Sequence, residues 1–256
     1  GSWGVWSGDF LGWLGRYRFS GTIEAVAEGT PLLPNEPILE VTGPIAEVQI
    51  LETLVINQIQ LQSVLASKAA RVVAAANGRR VVDFGSRRAH GVEAALAGAR
   101  AFYIAGVDAT SNLMAGARYG IPVAGTMAHS FVQACRSERE AFQRFAETFP
   151  ETTLLVDTYD TLEGVRRVID LARHLGSDFR IAAIRLDSGD LLALSRQARS
   201  MLDQAGLHRV QIFASGSLNE FRIDELVRAG APIDGFGVGT DMSVSADAPA
   251  LDIVYK

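Results

Sequence analysis

The residues of this chain that could do chemistry fall in short polar clusters, each behind an apolar run. In "IPVAGTMAHSF" (121–131), Thr126 and His129 follow such a run, and His129 stands where a strand hands over to a helix. Only four histidines occur in 256 residues. An imidazole placed there can pack, ligate a metal, or act as nucleophile or proton carrier near neutral pH. "IAAIRLDSGDLLAL" (181–194) sets Arg185, Asp187, Ser188 and Asp190 behind the next well-defined strand pattern. Ser188 or Asp190 reads equally as a helix cap, but an arginine in or at the end of a strand needs a charged partner. An arginine beside a carboxylate suits a substrate with anionic oxygens and bound Mg²⁺, a cation that prefers oxygen ligands. "LLVDTYD" (154–160) adds Asp157 and Asp160, the latter also a candidate cap.

Three further clusters point to an anion and a flat ring. In "VVDFGSRRAHG" (81–91), Phe84 stands at a strand end with Arg87 and Arg88 next. Arginines at the start of a helix oppose its dipole, a cost that makes sense where guanidinium forks and free amides receive phosphate or carboxylate. "IFASGSLNE" contributes Ser215, Gly216 and Ser217, and "GFGVGTD" contributes Gly237, Gly239 and Thr240. Glycine lets backbone amides approach a phosphate, and late strands of β/α barrels form phosphate cups this way. Tight turns need glycine as well.

The elements that must position these clusters alternate. Strand-like runs are "RVVDFG", "AFYIAGVD", "IPVAGT", "TLLVDTYD", "IAAIRLDSGD", "VQIFASG" and "IDGFGVGT", separated by amphipathic helical stretches such as "SFVQACRSEREAFQRFAETF". This alternation predicts a parallel sheet covered by helices. Polar residues gather at the C-terminal strand ends: Asp83 with Arg87, Asp108, Thr126 with His129, Asp157, Arg185 with Asp187, Ser215 and Thr240. A β/α barrel brings such ends to one rim, whereas an open doubly wound sheet focuses them at a switch point. The expected fold class is therefore α/β, a parallel β/α barrel over residues 79–256. Residues 1–49 read as a small β-rich N-terminal layer broken by prolines and glycines, and 50–78 as a connecting helix ending at Gly78. The tryptophan-rich first stretch (Trp3, Trp6, Trp13) is expected to pack against a neighbouring layer.

Composition bounds the partners. The chain is 48% hydrophobic and 21% charged, ordinary for a folded protein. Its net charge of −5 supplies no basic excess for nucleic acid. Cys135 is the only cysteine, which excludes an intrachain disulfide and fits a reducing cytoplasm. No apolar run is long enough to span a bilayer. With no initiating methionine and an end inside the strand-like "LDIVYK", the chain reads as a segment of a longer polypeptide.

Taken in order, "DFGSRRAHG", "GVDATSNLMAG", "YGIPVAGTMAHSF", "AFQRFAETFP", "LLVDTYDTL", "IRLDSGDL", "GFGVGTDM" and "VYK" resemble the nicotinate phosphoribosyltransferase family from about Phe19 to Lys256. The resemblance implies an irregular β/α barrel behind a β-rich layer, usually dimeric. It implies synthesis of nicotinate mononucleotide from nicotinate and phosphoribosyl pyrophosphate in NAD salvage, with Mg²⁺ and coupled ATP hydrolysis. By the same resemblance His129 matches the histidine that ATP phosphorylates, and Thr126, Arg185 and Phe84 match residues that hold nicotinate. Gly239 and Thr240 match the ribose-phosphate cup, joined by Ser215, Gly216 and Gly237. Arg87 would lie near the phosphates, and Asp157 and Asp187 near ribose, pyrophosphate and metal. Asp108 fits this scheme poorly, since a carboxylate at that rim position suits an amide. A nicotinamide-using relative, quinolinate phosphoribosyltransferase and a non-catalytic homologue are the competing readings.

Overall fold

A computed structural model describes residues 4–256, so Trp3 lies outside the described residues. The chain divides into two compact units, Gly1–Gln60 with Asp252–Lys256, and Leu61–Leu251.

In the first unit, helix α1 (Gly8–Gly15) is capped by Ser7, whose Oγ accepts from the Phe10 amide at 3.2 Å. Trp6, Phe10, Trp13 and Tyr17 stack on one another at centroid spacings of 5.2–5.7 Å. No residue of α1 is buried, so these aromatics shield each other instead of sinking into a layer. Strands β1 (Thr22–Ala25) and β2 (Leu39–Thr42) pair antiparallel, with Ile23 opposite Val41. Helix α2 (Ile45–Ala76) begins earlier than the expected residue 50, directly behind Pro44. Pro44 has no amide hydrogen to leave unpaired and is well suited to a helix entrance. The helix continues into the second unit and ends before Asn77 and Gly78, both at positive φ.

The second unit is built on six parallel strands: β3 (Arg80–Asp83), β4 (Ala109–Thr110), β5 (Thr153–Leu155), β6 (Ala183–Leu186), β7 (Gln211–Ala214) and β8 (Gly235–Val238). Their order is β4-β3-β8-β7-β6-β5. First and last strands are thus neighbours, with Val82 in register with Gly237. An otherwise sequential order that closes on itself in this way is the signature of a barrel. Beyond β4, a single bridge joins Thr110 to Val123, and no ladder among the described residues joins Val123 to β5. The sheet is a curled half-barrel. Ile184, Leu186, Ile212, Phe236 and Val238 are fully buried, because helices cover one sheet face while the strands' inner side chains fill the other.

The covering helices are α3 (Val92–Ile104), α4 (Leu113–Tyr119), α5 (His129–Ala134), α6 (Glu138–Thr148), α7 (Thr161–Leu175), α8 (Leu191–Gln204), α9 (Glu220–Arg228) and α10 (Thr240–Val244). Three expectations are corrected here. "AFYI" belongs to helix α3, not to a strand; its buried Ala95, Leu96, Ala99 and Phe102 recur at helical spacing, and a continuous apolar run does not separate the two alternatives. "IPVAGT" contributes one bridge, since Pro122 has no amide to donate to a ladder. "SFVQACRSEREAFQRFAETF" is two helices, broken at Cys135–Ser137, where Ser137 Oγ accepts from the Glu140 amide at 3.2 Å and starts α6. No described helix is long and apolar enough to cross a membrane.

Candidate active site

Arg185 is the centre of the rim. It is the third residue of β6, and its neighbours on the strand, Ile184 and Leu186, are fully buried. Alternation along the strand therefore delivers its side chain to the opposite face. There its nitrogens meet three different loops. Nε donates to Ser215 Oγ at 2.7 Å, Nη1 to Thr126 Oγ1 at 2.6 Å and Nη2 to Asp187 Oδ1 at 2.5 Å. Ser215 in turn donates to Asp187 Oδ1 at 2.5 Å. The guanidinium carbon lies 5.2 Å from the centre of the Phe84 ring, a cation against an aromatic face. Thr126, Arg185, Asp187, Ser215 and Phe84, five residues from the ends of β3, β6 and β7 and from the bridged segment behind Val123, thus form one cluster.

Asp187 connects that cluster to His129. Its Oδ2 lies 3.6 Å from His129 Nε2, and His129 Nδ1 lies 3.1 Å from Thr158 Oγ1. Burial pushes the Asp187 carboxyl up, but Ser215, Arg185 and His129 outweigh it and hold the group below the usual carboxylate range. His129 is the first residue of α5, and its side chain keeps 42% of its surface exposed. Asp157 sits behind Asp187: its Oδ2 accepts from the Asp187 amide at 3.0 Å and from Ser188 Oγ at 2.5 Å. Its Oδ1 is buried and makes no hydrogen bond among the described residues. No group of three His, Cys, Asp or Glu side chains among those residues could hold a metal. Two carboxylates with an unused oxygen fit Mg²⁺ that arrives with phosphate oxygens, since Mg²⁺ keeps few protein ligands beside a phosphate substrate.

Close backbone approaches hold the loops in register. A Cβ at Gly216, whose φ is +87°, would overlap the Asp187 carbonyl oxygen, so the loops after β6 and β7 touch. Gly237 lies inside β8, where a Cβ would overlap the Phe84 ring. Its missing side chain is the space in which Phe84 sits. Below Phe84, Asp83 is buried and accepts from the Gly85 amide and from Thr110 Oγ1, both at 2.7 Å; burial pushes its carboxyl up. Gly239 and Thr240 lead into α10, with Thr240 exposed. Arg87 lies in a short 3₁₀ turn (Ser86–Arg88), exposed and without a side-chain partner among the described residues. The structure does not draw Arg87, Gly239 or Thr240 into the Arg185 cluster.

Asp160 and Asp190 are caps, accepting from the first amides of α7 and α8. Asp108 is corrected: it is not a rim residue. It precedes β4, and its Oδ2 accepts from the Val81 amide at 2.8 Å. Asp234 does the same before β8 for the Ile212 amide, at 2.8 Å. Both carboxylates pin strand starts. Thr158, which orients His129, was not singled out from the sequence; its position beside Asp157 at a strand end was the available signal.

Two domain models match the chain: the nicotinate phosphoribosyltransferase N-terminal domain over residues 2–60 and the quinolinate phosphoribosyl transferase C-terminal domain over residues 65–256. Nicotinate phosphoribosyltransferase pncB2 of Mycobacterium tuberculosis is 60% identical over 253 residues, covering 99% of this chain and 55% of that protein. The nicotinate phosphoribosyltransferase of Bacillus subtilis is 45% identical over 249 residues, covering 97% and 51%. The chain thus spans about half the length of these relatives. Human nicotinic acid phosphoribosyltransferase superposes with a TM-score of 0.84 at 28% identity, over 91% of this chain and 58% of that one. Nicotinate-nucleotide pyrophosphorylase from Pyrococcus furiosus gives 0.80 at 30%, over 91% and 59%.

Proposed function

This chain belongs to the nicotinate phosphoribosyltransferase family, and from that premise we propose that it transfers a phosphoribosyl group from phosphoribosyl pyrophosphate to nicotinate. The products are nicotinate mononucleotide and pyrophosphate, in NAD salvage. One observation carries the reading: the Arg185 guanidinium, held by Thr126, Ser215 and Asp187, lies against the face of Phe84. Nicotinate is a flat ring with one carboxylate. Phe84 offers it a stacking face, and Arg185 with Thr126 offers a cation and a hydroxyl to its carboxylate. Asp108, the carboxylate that would have suited an amide substrate, is bonded to backbone instead.

The chemistry follows from charge. Cleavage at C1′ builds positive charge on ribose and negative charge on pyrophosphate. In this reading Asp157 and Asp187 face the ribose as its charge develops, and Arg87 together with the Ser215–Gly216 and Gly239–Thr240 loops receives the phosphates. The pyridine nitrogen attacks C1′ and carries no proton to remove, so no general base is needed. Holding both reactants in line removes much of the entropic barrier. Asp157 and Asp187 would hold Mg²⁺, which would supply charge neutralisation at the pyrophosphate oxygens.

His129 is the proposed phosphoryl acceptor from ATP. Thr158 fixes its Nδ1, and the ring is open to solvent. Asp187 stands between this imidazole and Arg185, so a charge change on one is felt by the other. The same reading makes the protein a cytoplasmic homodimer. The test is turnover of nicotinate, phosphoribosyl pyrophosphate and Mg²⁺ with and without ATP, followed by chromatography. Product that rises with ATP, and loses that rise in His129→Ala, supports both assignments. A folded chain that makes no product overturns them.

A further inference from the structure

Helix α2 carries a buried stripe, Val64, Leu65, Ala69, Val72 and Ala76, and a lysine stands in the middle of it. Lys68 is 1% exposed. Its Nζ meets three carboxylates: Glu220 Oε2 at 2.8 Å, Asp241 Oδ1 at 2.5 Å and Asp247 Oδ1 at 2.8 Å. Arg71, nearly one turn along, pairs with Glu220 Oε1 at 2.9 Å and Asp247 Oδ2 at 2.6 Å. Burial pulls the ammonium down, but Asp241, Asp247 and Glu220 outweigh it and raise its pKa above the usual lysine value. A buried cation of this kind persists only where its partners are well placed, since removing it alone leaves its carboxylates without their charge partner.

The three carboxylates come from informative places. Glu220 opens α9 immediately after the segment that holds Ser215 and Gly216. Asp241 follows Gly239 and Thr240 directly, and Asp247 lies in the turn behind α10. One ammonium therefore gathers the far ends of the loops after β7 and β8. We propose that Lys68 is a positioning residue that locks these two loops into a single surface for the phosphoribosyl group. The proposal rests on the phosphoribosyltransferase reading and adds to it a residue remote in sequence from the rim.

The experiment compares Lys68→Met with wild type in the full chain. Steady-state kinetics are expected to show KM for phosphoribosyl pyrophosphate raised about tenfold, with KM for nicotinate held within about twofold. Amide hydrogen exchange is expected to quicken in residues 215–219 and 239–245 together, and by a larger factor than the overall loss of stability produces in β3, β6 and β8. Unchanged exchange in both loops overturns the proposal. So does a loss of protection by one factor in the loops and the core strands alike, with both KM values rising in parallel, which is the mark of a purely structural lysine. If wild type makes no nicotinate mononucleotide, the enzymatic reading fails, and the exchange comparison still decides the role of Lys68. Should Lys68→Met not fold, Asp241→Asn, which leaves the lysine two carboxylates, is expected to loosen 239–245 and raise the same KM; wild-type behaviour there overturns the proposal.

Discussion

Arg185 and Lys68 each hold three side chains of the same unit, but their surroundings differ. Arg185 lies at the rim with 16% of its side chain exposed, and two of its three partners are hydroxyls. Lys68 is sealed, and all three of its partners are carboxylates. Hydroxyls turn readily toward a new acceptor, so Arg185 can take up an incoming carboxylate without breaking an ion pair. Lys68 has neither the access nor the spare charge, since with Arg71 it already faces three anions. One cation is arranged for exchange and the other for permanence.

Removing each cation in turn tests that contrast most severely. Arg185→Ala is expected to lower kcat/KM for nicotinate by about 10³, roughly 4 kcal/mol, while the urea midpoint moves little. Near-normal kinetics would remove Arg185 from the substrate site. Lys68→Met should reverse the balance, with a loss of about 3 kcal/mol in urea unfolding because three carboxylates lose their buried partner. A midpoint within error of wild type would mean that the ion cluster is no more stabilising than a methionine side chain.

Smaller changes sharpen the picture. Thr126→Val deletes one hydroxyl from the Arg185 set at nearly constant volume. It is expected to raise KM for nicotinate about fivefold, roughly 1 kcal/mol, leaving stability unchanged; an effect on phosphoribosyl pyrophosphate instead would reassign the threonine. The mildest effect is in acid. Burial raises Asp187 and Glu220, but their partners outweigh it, and Lys68 lowers Asp247, so all three titrate below their ordinary values. A carboxyl lowered in the fold contributes stability that is full above its unfolded pKa, near about 4, and is lost as pH falls through the lowered value. Urea unfolding across that window should show a shallower acid slope in Lys68→Met, which leaves Glu220 and Asp247 only Arg71, than in Arg185→Ala, which leaves Asp187 Ser215 and His129. Equal slopes would contradict the unequal charge of the two clusters.

Much of the rim was legible in the sequence because its residues stand at strand ends, where type and position coincide. Arg185 demanded a partner and Asp187 was two residues away; Ser215 and Thr126 stood at other strand ends. Asp160 and Asp190 were read as caps from their place before helical runs. What escaped did so for physical reasons. The run "AFYIAGV" carries no polar residue but the Tyr103 hydroxyl, so helix and buried strand were not distinguishable within it, and the misplaced strand took Asp108 to the wrong end. Thr158 has no chemistry of its own and matters only through the imidazole it touches. Lys68 sits in a helical stretch, where a lysine normally reads as solvated, and its partners lie far along the chain.

The pairing of β3 with β8 has a consequence for how the protein is made. As the polypeptide leaves the ribosome, Val81 and Val82 emerge before β4, β5, β6 and β7, and the strand that covers one of their edges, with Val82 against Gly237, follows only after all of these. Until then β3 presents an open hydrogen-bonding edge beside apolar side chains, the kind of surface on which strands of other molecules add. Contacts so distant along the chain also slow folding. The vulnerable interval in the life of this protein therefore lies during synthesis, and its length is set by the time needed to translate the residues between the two strands.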